Sequence, residues 1–486
     1  MSDANRVALR YVEESVFGTT PATPAFQEFR YTSSSLAYAP NTVTSDEIRS
    51  DRQITDLALV GFESSGNTNH ELSFDAFHDL FEGAFFNDWT EKPVVKNASS
   101  DTPISDVSAT QITLGAACTS FKTGHLCLMT GFGTSANNKL AKCTADGATN
   151  AITFAAATFT AEAVVPAGAR VKIVGFQGVA GDLDAATGPN RLTSTTLDFT
   201  TLGLSVGEWV KLGGSGVNDK FLVTAGCNGW ARISAISANA LTFSVVPTGW
   251  AASAETTSTL MVFFGDILRN GIVEKSYSLE LEYAGMAVTE WEYYTGMEVN
   301  SLAFTADAQA IMNLEFGFMG KSASVSGSRF AGATTLAAAS NEVMNTSSNV
   351  GSIREGDSEV STPNFVMSMS LTIENNLRMR NAIGSAAAIG IGVGRANVTG
   401  EIQTYFGSTA LLAKLRANTA SSIDFRVNDP TGTKAYIFDM PRVKYQSGAP
   451  EVQGIDTDIM LNLGFQAVRD PTLGYTIQLQ RFEYLQ

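Results

Sequence analysis

The 486-residue chain is short of the residues that most often do chemistry: it has three histidines and four cysteines. Cys118, Cys127, Cys143 and Cys227 show no Cys-x-x-Cys spacing, and only His125 lies near three of them. A structural zinc needs four clustered thiolate or imidazole ligands, so this pattern argues against one. The cysteines read instead as small buried apolar residues of a protein made in a reducing cytoplasm. Charge is scarce too: Asp, Glu, Lys and Arg make up 16% of the chain, against roughly 25% in an average soluble protein. What charge there is leans acidic, with 32 basic and 48 acidic residues and a formal net charge of -16. Gripping nucleic acid requires Lys and Arg to neutralise phosphates. The deficit therefore excludes a sequence-reading DNA-binding role, but not a conduit that DNA slides through. No run of eighteen apolar residues is present, so no membrane span is expected. The opening Met1-Ser2-Asp3-Ala4-Asn5-Arg6 lacks the apolar core and cleavage pattern of a signal peptide.

Hydrophobic residues reach 44%, enough for several cores, and the length suggests roughly three or four folding units. The uncharged remainder is heavy in Ala, Thr, Ser and Gly. That balance favours strands, turns and broad protein–protein contacts.

Two internal repeats organise the chain. In the middle, Asn150-Ala151-Ile152-Thr153-Phe154 returns as Asn239-Ala240-Leu241-Thr242-Phe243. Gly124 to Met129 answers Gly207 to Leu212, and Arg170 to Gly175 answers Leu260 to Gly265. Each copy reads as short strands joined by Gly/Asn/Ser turns, resembling an SH3-like or other compact barrel. The second repeat brackets the first. Ile311-Met312-Asn313-Leu314-Glu315-Phe316 answers Met460-Leu461-Asn462-Leu463-Gly464-Phe465. Both copies alternate strictly, with Leu314 and Phe316, or Leu463 and Phe465, on one side and polar residues on the other. Period two means strands with one dry and one wet face. Earlier in each half a strand leads to a short helix. Asn67–Leu72 precedes a helix predicted over 75–86, with an apolar stripe of Phe77, Leu80, Phe81 and Ala84 and a cap from Ser73 or Asp75. Asn397–Ile402 precedes one near 408–417, with Leu411, Leu412 and Leu415 as its stripe and Ser408 as its cap.

The expected organisation is a first domain at 1–92 and 266–322, interrupted by β modules at 96–176 and 190–265. A linker or arm follows at 323–362, then a second domain of the first type at 363–486. The linker is too long for an ordinary connection, which suggests that it orders on a neighbour.

No catalytic constellation completes. Gly320-Lys321-Ser322 imitates the end of a phosphate loop, but Glu315 stands where a glycine is required. Gly131-Phe132-Gly133 and Gly390-Ile391-Gly392 lack a following helix signal. His-Glu-x-x-His and Gly-x-Ser-x-Gly do not occur. Asp182-Leu183-Asp184 and Asp456-Thr457-Asp458 complete no calcium loop and read as solvated turns. Glu280 with Glu282, and Glu290 with Glu292, lie two apart on strands. They read as a wet acidic face. No cofactor or metal site is expected, nor is enzymatic activity.

Four runs carry a family resemblance. They are Arg10-Tyr11-Val12-Glu13-Glu14-Ser15 through Pro24, Glu47-Ile48-Arg49-Ser50-Asp51-Arg52-Gln53-Ile54-Thr55-Asp56, Ser278 to Gly320 with Phe316-Gly317-Phe318-Met319-Gly320-Lys321, and Arg469-Asp470-Pro471-Thr472. As a set they resemble the tail tube protein of long-tailed bacteriophages (siphoviruses), in its variant with two tandem tube domains. The resemblance covers 1–92 and 266–486 and leaves 96–265 outside. It implies a mainly β fold, a sandwich or sheet plus a short helix, with the two inserted barrel-like modules as decoration. It implies a virion protein made in the host cytoplasm. Two tube domains in one chain would form homotrimeric, pseudo-hexameric rings stacked into a tube. At about 4.8 Å strand spacing and about 40° tilt, a barrel of 24 strands has a backbone diameter of roughly 48 Å. Genomic DNA would be ejected through the tube without sequence-specific binding. The implied partners are further copies and the tail terminator, distal tail and tape-measure proteins. Glu280, Glu282, Glu290, Glu292, Glu315 and Asp458 are candidates for an acidic lumen. A surface-displayed carbohydrate- or cell-binding β-protein is the alternative. It would use an exposed aromatic cluster, for which Trp209, Trp230 and Trp250 are available.

Overall fold

A computed structural model describes residues 3–98, 103–147, 150–360, 364–452 and 454–486. Met1, Thr362 and Pro363, which mark expected domain limits, lie outside the described residues. The chain is mainly β and divides into two compact units. Unit 1 holds residues 1–88, 268–430 and 439–477; unit 2 holds 89–267, 431–438 and 478–486.

Unit 1 is built from β1 (Val7–Glu13), β2 (Ala25–Glu28), β3 (Ser33–Ser34), β4 (Ala37–Thr44), β5 (Leu57–Glu71), α1 (His78–Phe85), β6 (Tyr277–Tyr283), β7 (Glu290–Asp307), β8 (Asn313–Gly320), β9 (Ser322–Ser326), β10 (Thr334–Leu336), β11 (Val350–Glu355), β12 (Val366–Glu374), β13 (Asn397–Tyr405), α2 (Ala410–Ala417), β14 (Ser421–Asn428), the later part of β15 (Ala435–Glu451) and β16 (Met460–Ala467). β7 serves two sheets. Its first half pairs with β6 and β9, and its second half with β8 and β12. The changeover falls between Met297, the last residue opposite β6, and Glu298, the first opposite β8; register shifts on either side, between Tyr294 and Met297 and between Val299 and Ser301, bend the strand.

The longer sheet runs β3/β4–β5–β8–β7–β12–β13–β16–β15, antiparallel throughout. Its two halves repeat one plan. β3/β4, β5, β8 and β7 correspond to β12, β13, β16 and β15, and a short helix follows the second strand of each half. The Asn-Leu-x-Phe repeat is the third strand, β8 or β16. Leu314, Phe316 and Phe318 are buried on β8, as are Leu461, Leu463 and Phe465 on β16, so the alternation reads directly as burial.

α1 packs on β8 through Phe77 and Phe81, whose rings lie 6.1 and 6.0 Å from that of Phe316. Its whole predicted stripe is buried. The helix starts later than expected. Asp75 has a positive φ of 65°, and Phe77 at the N-cap is not helical. Neither Ser73 nor Asp75 is the N-cap residue of α1, a place taken by Phe77, whose side chain makes no capping hydrogen bond. Likewise Thr409, not Ser408, is the N-cap residue of α2; Ser408 instead accepts a hydrogen bond from Asn364 Nδ2 at 2.8 Å. Gly83 lets α1 approach the sheet: a Cβ there would sit 2.9 Å from the Tyr277 hydroxyl and 3.0 Å from Val299 Cγ2.

Residues 323–360 lie along strands of their own chain. β9 pairs with β7, β10 runs parallel to β2, and β11 pairs with β14. Between them Met344 is fully buried and exchanges backbone hydrogen bonds with Leu72 and Met312.

In unit 2 a ten-stranded sheet runs 140–142, 125–130, 170–177, 261–263, 209–212, 229–237, 240–245, 191–193 and 184–186, with 94–96 beside 170–172. A three-stranded sheet joins 151–153, 111–114 and 104–107. The internal repeat is visible here: 104–107, 111–114 and 151–153 in the first copy match 184–186, 191–193 and 240–245 in the second. Equivalent last strands of the copies pair antiparallel, with Gly175 opposite Phe263 and Gln177 opposite Met261. One hydrophobic core runs through both copies, from Ile104 and Phe154 to Leu241 and Val262. The barrel-like closure expected of each module does not occur. The sheets stay open because each copy extends its sheet into the other.

Candidate functional site

The feature that the fold builds most deliberately is the face of the long sheet opposite its core. Cross-strand register places Asn69, Glu315, Ala303, Thr372, Thr399, Gln466 and Lys444 side by side across seven strands. The neighbouring row is Glu71, Asn313, Thr305, Ser370, Glu401, Gly464 and Ser447. A further row holds Asp307, Ser368, Gln403, Asn462 and Ala449. Glu374 lies opposite Ser301 and Asn397. The rows are hydroxyls and amides punctuated by carboxylates, Glu71, Asp307, Glu315, Glu374 and Glu401, with Lys444 and, two residues before it on β15, Arg442 as cations. Such a surface is wettable and repels a polyanion.

Of the six acidic residues singled out from the sequence, two are associated with this sheet. Glu315 is on β8 and accepts a hydrogen bond from Asn67 Nδ2 at 2.8 Å. Asp458 is exposed, just before β16. The other four belong to the shorter sheet, on β6 and the first half of β7. Glu280 is fully buried, not wet. It binds Arg10 Nη1 at 2.9 Å, Arg329 Nη2 at 2.9 Å and the Tyr293 hydroxyl at 3.2 Å. Glu282 takes the same Arg10 nitrogen at 2.7 Å. Glu292 accepts from the Tyr283 hydroxyl at 2.9 Å, and Glu290 is half-buried beside it. Two cations from distant segments turn the Glu280–Glu282 part of the expected acidic face into an ion cluster. Spacing along one strand could not reveal Arg10 and Arg329. Sequence reading missed Glu71, Asp307, Glu374 and Glu401, although Asn67–Leu72 and Asn397–Ile402 were recognised as strands and alternation alone places Glu71 and Glu401 on their polar faces.

The remaining titratable groups are structural. His70 is buried, with Nδ1 2.9 Å from the Arg30 carbonyl and Nε2 2.8 Å from Thr68 Oγ1; burial pushes its pKa down to about 4. His125 is buried in unit 2 and likewise lowered to about 4 by burial. The four cysteines are buried and form no disulfide, and no metal-binding cluster occurs among the described residues. Asp182, expected in a solvated turn, is instead 7% exposed and takes hydrogen bonds from Ser194, Thr195 and Thr196. In unit 2, Asp266 is fully buried between Lys172 at 2.5 Å and Arg481 at 2.8 Å. Glu298 differs from all of these. It is 3% exposed, its Oε2 has no hydrogen-bond partner, and it lines a cavity of about 290 Å³ with Glu14, Glu274 and Arg380. Burial, reinforced by Glu274 and Glu14 against Arg380, pushes its carboxyl up to about 7.

The three tryptophans do not form an exposed cluster. Trp209 and Trp230 are buried, and Trp250 sits edge-on between Phe221 and Phe243.

Two matching half-sheets, each with one dry and one polar face, define a duplicated structural β-protein. A family model described as phage tail tube protein matches residues 4–203 and 238–467, and the chain belongs to that family. It is therefore a structural protein of the bacteriophage virion tail. The match also runs through 96–203, which the sequence resemblance had left outside the family pattern. No curated protein matches the chain. Among the described residues no helix is long and apolar enough to cross a membrane.

Proposed function

We propose that three copies form a pseudo-hexameric ring, that rings stack into the tail tube, and that the polar face of the long sheet lines a channel for DNA. The observation that carries this is the in-chain junction of β7 with β12, which puts two equivalent four-stranded halves side by side. Three such chains supply six halves and 24 strands. Glu71, Asp307, Glu315, Glu374 and Glu401 would give the channel its acidic lining, with Asp458 near its rim. DNA would slide past without being gripped, because the wall offers carboxylates and few counter-cations. Glu280, Glu282, Glu290 and Glu292 would instead brace the shorter sheet. Tail terminator, distal tail and tape-measure proteins would complete the tail. No site for a cofactor is involved and the role is not enzymatic.

Negative-stain electron microscopy of the concentrated protein tests the reading. Class averages should show a central hole, six inner lobes and three outer projections. Six equivalent outer projections would keep a tube but overturn the trimer.

A further inference from the structure

We infer that the outer edge of β15 over 445–449 binds the outer edge of the β3–β4 segment over 33–36 of a second copy, in a register already present inside the chain. This rests on the ring proposed above and specifies its joint. Within the chain, the last strand of the first half (β7) pairs with the first strand of the second half (β12): Leu302 lies opposite Ile373, Ala303 opposite Thr372, and Thr305 opposite Ser370. The two outer edges of the long sheet are the same two kinds of edge. β15 occupies the place of β7, since Tyr445 faces Phe465 as Leu302 faces Phe316. Ser34 occupies the place of Leu371. Ser34 pairs with Thr68, which faces Phe316; Leu371 pairs with Gly400, which faces Phe465.

Transferring the internal register predicts Tyr445 opposite Leu36, Ser447 opposite Ser35 and Ala449 opposite Ser33. The chemistry fits. Tyr445 is buried and Leu36 half-buried on the dry face, while small uncharged residues meet on the polar face, as Ala303 and Thr305 meet Thr372 and Ser370 within the chain. Over 445–449 the inner edge of β15 is taken by β16. Pro450, next along, lacks the N–H that would extend a ladder, and proline is tolerated on such edges. A β15 edge meets a β3–β4 edge and never its own kind, so the contact is head-to-tail and must close into a ring or propagate.

The register also sets the channel width. Stepping straight across from Ser33 leads through Asn69, Glu315 and Ala303 to Thr372, two residues past Ser370, the counterpart of Ser33. Six halves then accumulate a stagger of about twelve residues. With about 3.3 Å rise and about 4.8 Å strand spacing, strands tilt by about 19° and the backbone diameter is about 39 Å. That is narrower than the roughly 48 Å that a tilt of about 40° would give.

The test is a cysteine pair, S33C with A449C, in the full chain. Directly opposed residues in an antiparallel ladder lie about 4.5–5.5 Å apart, within disulfide range, and the four native cysteines are buried. Mild oxidation should yield covalent three-chain species on denaturing gels, severalfold more than the offset pair S33C with S447C. Mixing the two single variants should yield cross-linked dimers, which shows that the bond joins different copies. Rings without cross-links, or a preference for the offset pair, would overturn the joint while leaving the tube intact. Failure of the unmodified protein to form any ring or tube would overturn both.

Discussion

At the residue scale, Glu298 shows how a buried carboxylate is tuned by its surroundings. It has little water, a neighbouring pair of glutamates, and one oxygen with no donor. Its folded value of about 7 is above the ordinary glutamate value of about 4.3. Folding therefore favours its protonated form. The associated stability is fully present below about pH 4.3 and is lost as pH rises through about 7. The native protein should lose melting temperature relative to Glu298→Gln between pH 5.5 and 8.5. Melting curves of both proteins at those two pH values check this, and parallel pH dependence would refute it. The Arg10–Glu280–Arg329 cluster is a different case, because the charges are buried but partnered. Removing Arg10 alone would leave a buried carboxylate short of one cation, which costs more than any surface ion pair contributes.

At the element scale, alternation decides almost everything about the long sheet. Phe316 is the clearest example: it is on the dry face of β8, and Phe77, Phe81 and His70 converge on its ring within 6.1 Å. Phe316→Ala should cost about 3–5 kcal/mol, since little can collapse into the space between α1 and the sheet. The midpoint of urea unfolding measures it, and a loss below about 1 kcal/mol would show that α1 does not depend on this contact. β7 shows what alternation cannot reveal. Its eighteen residues read as one strand, yet between Met297 and Glu298, with a register shift on either side, it passes from one sheet to the other. A bulge changes which residues face the core without leaving a distinctive residue type at the site. Helix starts were similarly opaque, because Asp75 takes a left-handed conformation where its side chain had suggested a cap.

At the scale of the whole molecule, the polar face acts only as a surface, and no residue in it acts alone. Its proposed function depends on the sign of the charge and the absence of a grip. Glu374→Lys with Glu401→Lys replaces two exposed carboxylates on adjacent strands with cations. Tails assembled from this double variant should release DNA more slowly than native tails, and added salt should restore the rate as counterions displace the new contacts. Time courses of DNA release at low and moderate salt read this out. Unchanged release at low salt would remove the acidic lining from the mechanism. The acidic pairs chosen from spacing alone show why the site was only partly legible. Glu280 and Glu315 look alike as alternating glutamates, but one meets Arg10 and Arg329 inside the fold and the other faces outward.

Local pattern in the sequence determined the β class, the two repeats, the Asn-Leu-x-Phe strands and the apolar stripes of both helices. Each depends on residues within a few positions of one another, so period and composition suffice. The family also followed from the sequence, through several distinctive runs. Tertiary structure decided the rest: the junction of β7 with β12, the merging of the middle repeats around one core, the packing of 323–360 along its own chain, and which glutamates are buried. Those outcomes join segments tens to hundreds of residues apart. They are set by strand register and by the free energy of burying charge with or without a partner, and neither is written in any short stretch of the chain.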